Sequence, residues 1–235
     1  MAKDNNNVNK KFEDEKSKRD RGTKYLVFGM IAFVILAGAG ATISTKMTAA
    51  KTLAPHTAVK ANGYGIVYNA DKKPVIDLWE DFQCSVCGKF ESINSGYLNS
   101  VVKSGKAKVV FHTMSFIGPE SIVEANTGAC AADQGKFLEL HTVLYANQRS
   151  ENSGIWTISN LLKAGKLVGL SNSAFVDCVT KGKFLRWVQY VANDAGKYKV
   201  TSTPTVFVNG KELDRTTQYM DPNAFKAALA KAGVK

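Results

Sequence analysis

A change of periodicity within residues 75–87, VIDLWEDFQCSVC, indicates a strand that leads directly into a helix. Val75 to Phe82 is apolar at most positions, as expected of a strand that is covered on both faces. After Cys84, apolar residues recur at three- and four-residue steps up to Gly105, which predicts an amphipathic helix with a glycine stop. The two cysteines of this segment therefore mark the junction between strand and helix.

A cysteine pair separated by two residues at such a junction has a chemical rationale. The free N–H groups and the positive end of the helix dipole stabilise a thiolate at Cys84, and a lower pKa raises its reactive fraction near neutral pH. Cys87 lies one turn deeper on the same side, where it can close a disulfide with Cys84 or resolve a mixed disulfide. We therefore expect Cys84, at the exposed helix start, to be the catalytic nucleophile and Cys87 its partner.

A cysteine pair of this spacing also occurs in zinc sites, copper sites and purely structural disulfides. A structural zinc site usually combines two closely spaced dyads, whereas Cys130 and Cys178 are far apart in the sequence. A copper site would need nearby His or Met, and the sequence offers only three histidines: His56, His112 and His141. A purely structural disulfide would close so short a loop that it would stabilise little. The sequence favours a redox-active pair with no metal and no cofactor.

The rest of the folded region alternates between strand and helix patterns. From residue 63 onward the predicted order is β-β-α-β, a helical block at about residues 119–195, and then β-β-α. The first β-α-β unit implies a parallel strand pair with a right-handed crossover. Asn209-Gly210 predicts a hairpin between the last two strands. We therefore expect an α/β domain at residues 63–235 with a helical insertion.

The N-terminal region has the pattern of a membrane anchor. Residues 25–45 contain no charged side chain, and about 20 such residues are needed to cross a hydrocarbon core. Residues 1–24 are rich in Lys and Arg, so the positive-inside bias predicts a cytoplasmic tail there, a transmembrane helix at 25–45 and a linker at 46–62. A cleaved signal peptide is the alternative, although both segments are longer than signal peptides usually have. We expect a single-pass cell-membrane protein whose catalytic domain is extracytoplasmic.

Charge and the remaining cysteines set further limits. The net charge is +11, but the basic residues are dispersed, so we expect no nucleic-acid partner. In an exported domain, Cys130 and Cys178 are expected to form a structural disulfide, and buried free thiols are the alternative. Closing a loop of about 49 residues corresponds to roughly 4 kcal/mol in the chain-entropy model.

Three separated motifs resemble those of DsbA-like thioredoxin-fold proteins, above all the membrane-tethered members of Gram-positive and actinobacterial type. The motifs are EDFQCSVC at 80–87, GKFLELH at 135–141 with YANQ at 145–148, and TPTVFVNG at 203–210. The resemblance covers about residues 63–235 and implies a thioredoxin-like fold with a central mixed sheet. It also implies that Pro204 forms a cis-proline loop beside the cysteine pair and that the backbone of Thr203 pairs with the substrate peptide.

The chain departs from the family pattern in several ways. Val86 occupies the position of a frequent histidine, so we expect the pKa of Cys84 to be less depressed than the ~3.5 of DsbA. Leu78 occupies the position of the family's buried acid. Three nearby acids are either its replacements or solvated charges at the strand end: Asp77, Glu80 and Asp81. His141 lies on an apolar helix face, where a structural role is expected rather than a catalytic one.

The resemblance implies an enzyme that introduces disulfides into unfolded exported proteins and is reoxidised by a membrane quinone-linked partner of the DsbB or VKOR type. A reductase or isomerase is an alternative, because Thr203 is also found before the proline in isomerase-like relatives. A redox-inert binding module is a third reading, and the intact cysteine pair counts against it. Residues 46–62 are too short for the dimerisation domain of the dimeric bacterial isomerases, and we expect a monomer.

Overall fold

A computed structural model describes residues 54–58 and 62–234. The tail and the membrane anchor predicted at residues 1–24 and 25–45 lie outside the described residues. Within the part that is described, no helix is both long enough and apolar enough to cross a membrane.

Five strands form a mixed sheet in the order β1-β3-β2-β4-β5. Their bounds are Ile66–Tyr68 for β1, Val75–Asp81 for β2, Lys108–Met114 for β3, Thr205–Val208 for β4 and Lys211–Glu212 for β5. The pair β2–β3 is parallel and the other three neighbouring pairs are antiparallel. The last four residues of β2, at positions 78–81, are all buried, so this central strand is covered on both faces. The predicted mixed sheet is therefore present.

The long helix α1, Ser85–Ser104, follows β2 after a short turn. Cys84 is its N-cap, and the Cys84 side chain accepts a hydrogen bond from the backbone N–H of Cys87. Gly105 ends the helix in the left-handed region at φ 66°, where glycine carries no steric penalty. This arrangement places both cysteines at the end of the central strand.

A block of helices connects β3 to β4. It contains α2 (Pro119–Ala132), α3 (Phe137–Ala146), α4 (Ile158–Leu167), α5 (Ser173–Thr180) and α6 (Leu185–Asp194), followed by a 3₁₀ turn, Ala195–Tyr198. The last helix, α7 (Pro222–Lys231), starts at Asp221, whose carboxylate accepts two backbone N–H groups. A disulfide joins Cys130 on α2 to Cys178 on α5, with their Cα atoms 5.9 Å apart.

Candidate active site

Cys84 and Cys87 are free thiols at the start of α1. The Cys84 side chain is slightly accessible, with 8% of the residue exposed, whereas Cys87 is completely buried. Cys84 is thus more buried than its place at a helix start suggested. The side chain of Val86, between the two cysteines, points outward and leaves this residue 49% exposed. A macromolecular thiol can approach Cys84 but has no access to Cys87.

The two thiols differ strongly in acidity. A hydrogen bond from the Cys87 thiol is the main reason that the pKa of Cys84 falls to about 6, against an opposing effect of burial. Further hydrogen bonds, from the side chain of Thr203 and from the backbone N–H groups of Cys87 and Val86, lower it as well. Burial raises the pKa of Cys87 well above its usual range. At neutral pH the reduced site therefore combines a Cys84 thiolate with a protonated Cys87 thiol.

The loop before β4 lies against Cys84. The Thr203–Pro204 peptide bond is cis, and the carbonyl oxygen of Thr203 lies 3.4 Å from Cys84 Sγ. On either side of this bond, the guanidinium of Arg215 donates to the hydroxyl oxygens of Ser202 and Thr205. The loop is thereby fixed next to Cys84, where the resemblance to DsbA-like proteins places it.

A side chain from the end of the α3 segment holds the strand–helix junction. Gln148 Nε2 donates to the backbone carbonyls of Phe82 at 2.7 Å and Cys84 at 2.9 Å. A Cβ atom at Gly88 would lie 2.1 Å from Gln148 Oε1, so the glycine after Cys87 makes room for this contact. The YANQ motif therefore positions the backbone that carries the nucleophile.

Of the three acids that the sequence offered as replacements at Leu78, Glu80 lies in the interior near the cysteine pair. Glu80 Oε2 is 3.3 Å from His141 Nε2, and both residues are buried. Burial, opposed by a hydrogen bond with Glu91 and reinforced by the charge of Cys84, raises the pKa of Glu80 to about 8. Asp77 is instead partly exposed and pairs with His112 Nε2 at 3.3 Å. Of the three acids, Glu80 is therefore the one whose charge interacts with both Cys84 and Cys87.

Asp81 is also completely buried, but its role is to hold backbone. Its carboxylate accepts the N–H groups of Gln83 at 2.9 Å, Phe116 at 3.1 Å and Ile117 at 3.4 Å. It therefore ties the turn before Cys84 to the loop after β3, and it is not a solvated strand-end charge. The side chain of Gln83 adds a hydrogen bond to the buried carboxylate of Glu124 on α2.

A second acid beside Glu80 was missed by the sequence analysis. Glu91 on α1 is buried, and its Oε2 lies 3.7 Å from His141 Nδ1. Burial, and then the charge of Glu80, raise the pKa of Glu91 well above its usual range. The signal in the sequence was its position four residues after Cys87, which places it on the core face of the predicted helix.

A metal ion needs three or more ligand atoms close together. Among the described residues, one group of acids, cysteines and histidines meets this condition, with ligand atoms within 4.8 Å of one another: Glu80, Glu91 and His141. The imidazole, however, presents a different nitrogen to each carboxylate as its nearest contact. The imidazole therefore lies between the two carboxyls, whereas one metal ion would be bound through a single ring nitrogen.

Comparisons with known proteins agree with this geometry. The family model described as Thioredoxin matches residues 62–230. A comparison with curated protein sequences found no match. Three solved structures illustrate the similarity.

MdbA of Actinomyces oris, a thiol-disulfide oxidoreductase, superposes with a TM-score of 0.63 at 20% identity, over 76% of this chain and 99% of its own. BdbD of Bacillus subtilis gives a TM-score of 0.62 at 19% identity, over 77% and 97% of the two chains. The disulfide bond oxidoreductase DsbG of Mycobacterium tuberculosis gives 0.58 at 25% identity, over 67% and 77%. The chain therefore belongs to the thioredoxin family, and its fold is that of the DsbA-like thiol–disulfide oxidoreductases.

Proposed function

We propose that this protein is a thiol–disulfide oxidoreductase that donates the Cys84–Cys87 disulfide to unfolded proteins outside the cytoplasm. The observation that carries the proposal is the unequal acidity of the two thiols: a Cys84 pKa of about 6 beside a Cys87 pKa well above the usual range. An oxidant of this kind derives its driving force from a stabilised reduced form, and above all from a stabilised thiolate. The reduced pair described here has that property.

The first step is the attack of a substrate thiolate on Cys84 Sγ. The bond between Cys84 and Cys87 breaks, and Cys87 leaves with the electron pair as a thiolate. Because Cys87 is buried and its thiol form is strongly favoured, it then takes up a proton. The protonated carboxyl of Glu80, with a pKa of about 8, is the group that we assign as the proton donor.

The second step releases the product. A second substrate thiolate attacks the substrate sulfur of the mixed disulfide, and Cys84 departs as a thiolate. The substrate has then lost two electrons and gained a disulfide, while the enzyme holds one thiolate and one thiol. A Cys84 pKa of about 6 makes its thiolate a good leaving group near neutral pH.

The substrate is proposed to lie along the loop of Thr203 and Pro204. The Thr203 backbone adjoins Cys84, which suits main-chain pairing with an extended peptide. The exposed side chains of Val86 and Phe116 offer apolar contacts of the kind that an unfolded chain presents.

The proposed function also implies a cellular location and a protein partner. A structural disulfide between Cys130 and Cys178 suits an oxidising compartment, and the apolar run at residues 25–45 would tether the domain at the membrane. The reduced pair would return two electrons and its proton to a quinone-linked membrane protein of the DsbB or VKOR type. The protein would act as a monomer.

The test compares two activities of the purified protein. The oxidised form should convert a reduced, unfolded protein to its disulfide form faster than the reduced form cleaves the disulfides of insulin. A Cys84→Ser variant, which keeps the size of the side chain, should lack both activities. Rapid insulin reduction with negligible substrate oxidation would replace the donor role by a reductase role.

A further inference from the structure

The buried position of Cys87 creates a problem of proton supply, if the proposed disulfide exchange is accepted. During the exchange a substrate is covalently attached to Cys84 and covers the side from which solvent reaches the pair. Cys87 is itself 0% exposed, so its proton must arrive through the protein interior. A single buried carboxyl can supply one proton, but it must be reloaded before the next cycle.

The side chains that surround Glu80 connect it to a second acid. His141 lies 3.3 Å from Glu80 through Nε2 and 3.7 Å from Glu91 through Nδ1. The two carboxyl groups also share a hydrogen bond, which lowers the pKa of Glu80 and raises that of Glu91. The other oxygens of both acids, Glu80 Oε1 and Glu91 Oε1, are buried without a hydrogen-bond partner. Among the described residues, these two oxygens therefore have no hydrogen-bond partner beyond the neighbouring carboxyl, so a proton can pass directly between the two acids.

Glu91 also borders a crevice that opens between α1 and α3. Its volume is about 170 Å³, which is room for several water molecules at ~30 Å³ each. Its lining is mostly small or polar: Gly88, Glu91, Ser92, Ser95, Thr142, Tyr145 and Ala146. Its lining on α1 begins at Gly88 and does not include Cys84, Val86 or Thr203, the residues at which the substrate is proposed to bind.

The titratable groups around the two acids come from all three elements that meet there. They are Glu80 and Asp81 on β2, Cys84 and Cys87 at the start of α1, Glu91 on α1, and His141 and Tyr145 on α3. Burial lowers the pKa of His141, so none of these groups is a cation at neutral pH. Two neighbouring buried carboxyls without a cation cannot both ionise, and the pair retains a proton.

We propose that Glu91 is the proton donor that reloads Glu80, that His141 positions the two carboxyls, and that the crevice between α1 and α3 is the proton entry of the enzyme. Glu80 gives its proton to the Cys87 thiolate and becomes a carboxylate. Glu91 passes its proton to Glu80 and is reprotonated by water in the crevice. When the pair is reoxidised, the proton of Cys87 leaves by the same path in reverse.

The test measures the rate at which a dithiol reduces the Cys84–Cys87 disulfide, from pH 5 to pH 9, by acid quench, alkylation and mass spectrometry. Glu91→Gln should slow the reaction by about tenfold or more at pH 7, less than the ~100-fold typical for loss of a general acid, because Glu91 acts on Cys87 only through Glu80. The pKa of Cys84 should stay near that of the unmodified protein. Glu139→Gln is the matched control, because this acid lies exposed on α3 and should leave the rate unchanged.

Chemical rescue separates a proton donor from a structural residue. Glu91→Ala widens the crevice, and added formate should restore most of the lost rate, whereas the Glu91→Gln protein should not respond. His141→Asn should slow the reaction without formate rescue. Glu91→Gln is nearly isosteric and keeps the test decisive if the His141 variant does not fold.

The two proposals fail in different ways. If the unmodified protein and Glu91→Gln react within twofold of each other across the pH range, the relay is wrong and the exchange activity stands. If the unmodified protein does not exchange its disulfide with the dithiol, the proposed function fails, and the relay fails with it.

Discussion

The carbonyl oxygen of Thr203 lies 3.4 Å from the sulfur of Cys84. The same residue therefore borders the place where substrate backbone is expected to pair and also influences the nucleophile, since its side-chain hydrogen bond lowers the pKa of Cys84. Thr203, the residue before the cis-proline, is thus expected to contribute both to substrate binding and to stabilisation of the Cys84 thiolate.

Thr203→Val should raise the pKa of Cys84, because it removes the hydroxyl while keeping the shape of the side chain. The pKa should move upward from about 6, and the protein should become a weaker oxidant. Absorbance of the thiolate at 240 nm, followed across a pH series, measures the change. Thr180→Val, at the exposed end of α5, is the control. An unchanged Cys84 pKa in Thr203→Val would show that the hydroxyl does not act on the sulfur.

Alkylation of the reduced protein should occur at Cys84 and not at Cys87. The rate should increase as the pH rises through about 6, because the thiolate is the reactive form. Cys87→Ala should trap mixed disulfides with substrates through Cys84. It should also raise the pKa of Cys84, since the thiol of Cys87 is its strongest hydrogen-bond donor. Mass spectrometry of the modified peptides decides the assignment, and preferential labelling of Cys87 would reverse it.

Glu80→Gln should stabilise the reduced protein at alkaline pH. An unfolded glutamate releases its proton near pH 4.5, whereas Glu80 in the fold holds its proton until about pH 8. This group therefore lowers the free energy of unfolding as the pH rises between these values. The Tm difference between variant and unmodified protein should grow steadily from pH 4.5 to pH 8, since the full shift of the Glu80 pKa corresponds to at most about 5 kcal/mol. A pH-independent difference would mean that Glu80 ionises as an exposed acid does.

Replacing Cys130 and Cys178 together by Ala should destabilise the fold while sparing the chemistry. Opening a loop of about 49 residues costs roughly 4 kcal/mol in the chain-entropy model. Thermal unfolding should shift to lower temperature, whereas the alkylation rate of Cys84 should match that of the unmodified protein. Peptide mapping of the oxidised protein provides the check: two alkylatable thiols at these positions would contradict the linkage between α2 and α5.

Val86→His should make the protein more oxidising. A histidine between the cysteines adds a charged neighbour to the Cys84 thiolate, so the pKa of Cys84 should fall and the reduction potential should rise together. About 30 mV corresponds to 1.4 kcal/mol for this two-electron couple, and a shift of a few tens of millivolts is expected. Val86→Asn serves as a polar, uncharged control. A lower pKa without a higher potential would break the link between thiolate and driving force.

The sequence was sufficient to predict those elements whose structure is determined by the local pattern of apolar residues. The change in the spacing of apolar residues at Cys84 located the end of β2 and the start of α1. A strand repeats its buried side chains every two residues, whereas a helix repeats them every three or four. The exposure of Cys84 was overestimated, since the loop at Thr203 that covers it comes from a distant part of the chain. That contact is tertiary and leaves no mark in the spacing around the cysteines.

The buried acids show the same limit more clearly. Alternation along β2 places Glu80 on the same face as the buried Leu78 and Asp77 on the other face, and this explains why Glu80 is buried whereas Asp77 is partly exposed. The contact of Glu91 with His141 depends on how α1 packs against α3, and no periodicity within either helix reveals it. The anchor at residues 25–45 lies outside the described residues and stays a prediction.

The reduction potential of the Cys84–Cys87 pair is the most direct test of the donor role. It is measured by equilibrating the purified protein with defined ratios of reduced and oxidised glutathione and counting free thiols after alkylation. We predict a value between about −270 mV, that of thioredoxin, and about −120 mV, that of DsbA. A value at or below about −270 mV, together with efficient reduction of insulin, would contradict it.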